Sequence, residues 1–167
     1  MILLAAFLGA LFCFALALAS YLHLLYSESQ RLRPREAARS LPFFEETLRP
    51  RLKLEPEEGI RRFVAVKQSL VPLLALDLAY ALAARRGLHL SSLFEALVLA
   101  TLLLVLFAYV IPHAMLTRTA GLWALRFLFP ARLLAAAVKP LLVIVSFGYG
   151  IADLGAAPKS GALRNTA

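Results

Sequence analysis

The sequence predicts an all-α integral membrane protein: three transmembrane helices followed by amphipathic juxtamembrane helices. Three observations carry this. The 167 residues are 61% hydrophobic, against about 45–50% for an ordinary soluble domain. The apolar residues are gathered into runs long enough to cross a hydrocarbon core of ~30 Å, which takes about 20 helical residues. The charges fall between those runs. The net charge of +8 is therefore read as headgroup attraction and membrane orientation. No aromatic-interleaved basic surface accompanies it, which argues against nucleic-acid binding. The single cysteine, Cys13, rules out a disulfide framework or a Cys-rich metal site within one chain.

The first span covers residues 1–26, which contain no Asp, Glu, Lys or Arg. The ALALAS stretch at 15–20 resembles a signal-peptide cleavage site. However, no basic residue precedes the run and apolar character continues to Leu25, so a retained helix is expected. Ala15, Ala17, Ala19 and Ser20 would let another helix approach closely.

Residues 27–62 are polar, with nine Arg or Lys and seven Glu. Prolines at 34, 42, 50 and 56 limit helices there to short pieces. Leu41, Phe43, Phe44 and Leu48 are suited to lie against headgroups; a solvated loop with short helices is the simpler expectation. The abundance of arginine assigns this segment to the cytoplasm.

The second span is expected at 63–84. Lys67 lies one turn in and can snorkel to the cytoplasmic interface. Asp77 lies ten residues further, about 15 Å along a helix, and cannot reach the same interface. An acid at that depth faces the bundle interior, either as an interhelical hydrogen bond or on an ion or proton path. The connection 85–92 carries only Arg85 and Arg86, which puts it and the N-terminus outside the cell membrane (an inner membrane) and the C-terminus in the cytoplasm.

The third span, 93–115, is the clearest, with 23 residues and one charge, Glu95, which Arg85 or Arg86 can neutralise. Pro112 near its end removes a helical N–H and frees a carbonyl that protein, water or an ion must take up. Beyond it, Arg118, Arg126, Arg132 and Lys139 fall within an arc of about 140° on a helical wheel. That pattern predicts interfacial helices over about 119–151, divided at Pro130 and Pro140. The domain is thus expected at 1–152 and a flexible cytoplasmic tail at 153–167.

Taken in order, these pieces resemble the transmembrane domain of the CNNM/CorC family of magnesium transporters and hemolysin-like proteins. Leu18-Ala19-Ser20-Tyr21-Leu22-His23, with Arg31-Leu32 following, stands where the family has Ser-Ala-Ser-Glu-x-Ala and a basic element. Lys67-Gln68-Ser69-Leu70-Val71-Pro72 stands for Gly-Asn-x-Leu-Val-Asn. Phe107-Ala108-Tyr109-Val110-Ile111-Pro112-His113 stands for Phe-Gly-Glu-Ile-Ile-Pro-Lys, with Ala124-Leu125 and Pro140 continuing the pattern. The resemblance implies a dimer and an Mg2+ site built from all three spans. It also implies CBS domains, which would here be absent or supplied by another polypeptide.

The residues at those positions change the chemistry. Mg2+ demands hard oxygen ligands, usually with an anion among them. Here the resemblance leaves Ser20, Gln68, Ser69, Tyr109 and the carbonyls before Pro112, all neutral, and both motif carboxylates are gone. Lys67 stands in the glycine position and repels a cation. The expectation is a degenerate, non-transporting or regulatory relative, paired with itself or with a related full-length transporter. The alternative is a divergent divalent-cation transporter using Asp77, with Tyr109, His113 or Gln68 as neutral ligands. No nucleophile–base or metal-ligand constellation indicates an enzyme.

Overall fold

In the computed structural model, residues 2–30, 41–87, 89–119, 121–144 and 147 are described. Every regular element among them is helical. The tail expected at 153–167 and the basic residues Arg31, Arg33, Arg35 and Arg39 lie outside the described residues.

Helix α1 runs Ile2–Ser29, and the Ser29 hydroxyl closes its last turn by donating to the Tyr26 carbonyl at 2.8 Å. Short helices α2 (Leu41–Phe43) and α3 (Arg49–Leu52) flank a π-helical turn, Phe44–Leu48. Helix α4, Pro56–Arg86, starts seven residues before the expected span and keeps Pro72 inside it. Gly87 ends it with φ of 84° and an N–H bonded to the Ala83 carbonyl at 2.9 Å, a backbone shape that glycine adopts without steric cost. Arg86 reaches across this turn to Glu95 at 2.6 Å, the neutralisation expected from the sequence. Both partners are at least half exposed, so the pair contributes about 1 kcal/mol at most.

Helix α5, Leu90–Val105, continues through a π-helical turn, Leu106–Val110, into α6, Ile111–Arg118. The two π-turns share one cause. Each ends one residue short of a proline, Pro50 or Pro112, and the residue between donates its N–H five positions back: Arg49 to Phe44, and Ile111 to Leu106. A proline in an α-helix cannot donate to the carbonyl four back and crowds it. Widening the preceding turn relieves that clash while the chain stays helical.

The most extensive packing among the described residues is between α1 and α4. Two close approaches set their register. A Cβ added at Gly59 would lie 2.6–2.7 Å from the Tyr26 ring, and one at Gly9 would lie 2.9 Å from Asp77 Oδ2. Gly9 and Tyr26 are 17 residues apart on α1, and Gly59 and Asp77 are 18 apart on α4, in opposite order. The helices therefore run antiparallel without slippage over about 25 Å at 1.5 Å per residue. Tyr26 is fully buried, 4.8 Å from the Phe44 ring edge-on and 5.9 Å from the Phe63 ring in a stack. Leu41, Phe44 and Leu48 are thus buried in the core. They do not face headgroups or solvent, because Tyr26 and Phe63 supply an apolar partner that the loop sequence does not reveal.

After Thr119 the chain turns at Gly121 (φ 78°), passes through a 3-10 segment, Leu122–Phe127, and enters α7, Leu128–Ala137. The single helical wheel expected for Arg118 to Lys139 is therefore not formed. Arg118 belongs to α6, and the turn at Gly121 and a 3-10 segment separate it from Arg132 on α7. Four helical stretches are long and apolar enough to cross a membrane: Leu3–Ser29, Pro56–Arg86, Leu90–Arg118 and Leu122–Ile144. The fourth is the region expected as interfacial helices.

The rigid Tyr26 ring leaves Gly59 no slack, whereas the Asp77 carboxylate can rotate away from Gly9. Gly59→Ala is expected to cost about 1–3 kcal/mol by overpacking. That corresponds to a melting point lower by about 2–4 °C per kcal/mol, followed by thermal denaturation in detergent. Gly9→Ala is expected to cost less, and Tyr26→Leu should recover part of the Gly59→Ala loss. Equal melting of Gly59→Ala and wild type would remove the Tyr26 contact as the register constraint.

Candidate functional site

Two of the residues singled out by the resemblance, Lys67 on α4 and Tyr109 in the second π-turn, meet directly. The Lys67 Nζ lies 5.1 Å from the Tyr109 ring centroid, within the range of a cation–π contact. The contact follows from the local structure: the π-turn before Pro112 changes the direction of Tyr109 relative to a regular helix, and Lys67 is half-buried on α4. Lys67 is thus directed at an aromatic face, a further interaction beside the snorkelling read from its sequence position.

The remaining candidate residues divide by environment. Ser20 is fully buried on α1, and its hydroxyl has no hydrogen-bond partner among the described residues. Ser69 donates its hydroxyl to the Ala65 carbonyl at 2.9 Å, the back-bonding by which a serine within a helix satisfies itself. Gln68 and His113 are exposed, and Pro112 is buried. Asp77 lies eight residues beyond Ser69 on α4, about 12 Å along the axis. One ion with ligands at about 2.0–2.6 Å cannot reach both. Among the described residues no group of three or more His, Cys, Asp or Glu side chains is placed to hold a metal.

Asp77 instead lines a separate cleft of about 330 Å³ between α1, α4 and α5, together with Gly9, Cys13, Arg85 and Leu103. It faces α1, as expected of an intramembrane acid, and the absence of a side chain at Gly9 makes its room.

Two aromatic contacts tie α1 to the segment after Gly121, and a third joins their partners within that segment. Tyr21 lies 4.9 Å from Trp123, Trp123 5.8 Å from Phe127, and Phe127 4.9 Å from Phe14. Tyr21, at the position where the resemblance has a glutamate, is a fully buried packing residue here. The only sequence signal is the spacing of Phe14 and Tyr21, seven residues apart and so on one face of α1.

No family model, curated protein or solved structure matches the chain.

The Lys67–Tyr109 contact is open to a double-mutant cycle. Lys67→Met and Tyr109→Ala are expected to show a coupling of about 0.5–1 kcal/mol in thermal or denaturant stability. Additive effects would mean that the ammonium and the ring do not interact.

Proposed function

We propose that this chain is a multi-pass integral membrane protein, a degenerate relative of the CNNM/CorC transmembrane domain. In this reading it does not carry a divalent cation by itself and acts as a partner or regulator of a transporter. The observation that carries the proposal is the Lys67 ammonium over the Tyr109 ring. The resemblance puts a dehydrated Mg2+ at these motif positions, and the chain puts a fixed cation there instead. A divalent ion about 5 Å from an ammonium is repelled by roughly 7 kcal/mol at an effective dielectric of about 20.

The outward faces support the membrane assignment. Phe7 and Leu11 on α1, Leu73 and Leu76 on α4, and Leu97 and Leu102 on α5 are all exposed, apolar surface on three long helices that lipid would cover. Three spans with an interfacial α7 fit the chain better than four. The Arg132 guanidinium, in the middle of the fourth apolar stretch, donates to the Arg51 carbonyl of α3. This interaction brings that stretch level with the polar segment, so Arg132 need not be stranded in hydrocarbon. The arginine-rich side is cytoplasmic in this arrangement, with the N-terminus outside. A second copy of the chain, or a full-length relative, is the expected partner.

The Asp77 cleft favours one other reading, a divergent transporter that conducts along α1 and α4. Calorimetry with Mg2+ on detergent-purified protein, and divalent flux into proteoliposomes, separate the two. The proposal expects no saturable binding, no flux, and no change on Asp77→Asn. It also expects binding to appear in the triple variant Lys67→Gly, Gln68→Asn, Tyr109→Glu. Flux by the wild-type chain that Asp77→Asn abolishes would establish the transporter.

A further inference from the structure

The polar end of the bundle holds a second cleft, of about 400 Å³, that no motif marks. Its charged lining comes from three separate parts of the chain: Lys53 after α3, Glu58 and Arg62 from the first turns of α4, and Arg132 and Lys139 from α7 and just beyond. Arg132 and Lys139 are seven residues apart, with Ala135 between them also on the lining, so all three share one helix face. The only carboxylate of the lining among the described residues, Glu58, is already engaged by Arg62. Four cations thus face one cleft with one compensating anion.

Two further features show that this grouping is assembled by the fold. Lys53 is the only non-glycine residue with positive φ among the described residues, at 54°. This is the left-handed conformation in which helices commonly end, with the Lys53 N–H donating to the Arg49 carbonyl. Here it ends α3, and Lys53 lines the cleft. Arg132 is anchored by its donation to the Arg51 carbonyl, which fixes α7 against α3. The cleft also sits at a boundary: Phe129 and Leu133, on the same helix as Arg132, are exposed. A ligand there would meet cations at one end and apolar surface at the other.

We propose that this cleft binds the phosphate headgroup of an anionic phospholipid, with the acyl chains along the exposed apolar residues of α7. The chemistry it recognises is a phosphate-type anion, for which arginine and lysine are the fitting donors. The apolar flank selects a lipid over a soluble phosphate. The site rests on the reading of the chain as a membrane protein.

The test uses the full chain in an uncharged detergent, with its melting midpoint followed as phosphatidylglycerol, phosphatidylcholine or inorganic phosphate is added. Phosphatidylglycerol is expected to raise the midpoint saturably, and phosphatidylcholine is not. Lys139→Gln and Lys53→Gln should each raise the half-saturating lipid concentration about fivefold. Arg61→Gln, which removes the same charge from the same end of α4 outside the cleft, should leave it unchanged. Arg132→Gln should weaken binding too; if that variant fails to fold, the exposed Lys139 and Lys53 still decide the matter. Equal weakening by Arg61→Gln would show a diffuse charge effect and overturn the site. Stabilisation by inorganic phosphate at the same concentrations would overturn the lipid as its ligand. Release of the chain from membranes by alkaline carbonate without detergent would overturn the membrane reading itself, independently of the lipid titration.

Discussion

The Tyr26 ring occupies the space that any side chain at residue 59 would need, and much of the structure depends on that close approach. It brings α1 and α4 together at their polar ends. The Asp77–Gly9 contact does the same near the opposite ends, and a two-point attachment leaves no freedom to slide. With the register set, Phe44 and Phe63 close around Tyr26. The short helices between the first two long ones are thereby drawn into the core. Lipid offers no hydrophobic drive for helices to associate, so close packing at small residues must hold a membrane bundle together. Two glycines, each opposite a larger side chain, provide it here.

The prolines act on this frame without breaking it. Pro50 and Pro112 are each preceded by a π-turn, which widens the helix locally and keeps it continuous. The second of these turns has a chemical consequence because Tyr109 lies within it, facing Lys67. A lysine within a long apolar helix thereby gains an aromatic face as its partner.

Charge is distributed with the same economy. The lysine within the second long helix has an aromatic partner, and Arg86 and Glu95 meet across the turn at Gly87. The cations of the polar end converge from α3, α4 and α7 on one cleft. The anchoring of Arg132 on the Arg51 carbonyl links that convergence to the course of the fourth apolar stretch. One hydrogen bond thus bears both on the topology of the chain and on the cleft.

The sequence by itself determined the helical class, long apolar runs separated by charged segments, and that Glu95 would meet an arginine of the preceding turn, leaving Arg85 and Arg86 as alternatives between which the fold chose. Each of these follows from composition, run length or spacing along one helix, which are local properties. It did not reveal that Leu41, Phe44 and Leu48 are core residues, because the partners that bury them come from other helices. Nor did it reveal that Arg118 parts company with Arg132 and Lys139. A wheel drawn at constant pitch cannot foresee a turn at Gly121 followed by a 3-10 segment. The roles of Gly9 and Gly59, and the grouping of Lys53 and Arg62 with Lys139, were decided only by tertiary structure. Their physical content is the distance between residues far apart in the chain, and no periodicity along the chain encodes it.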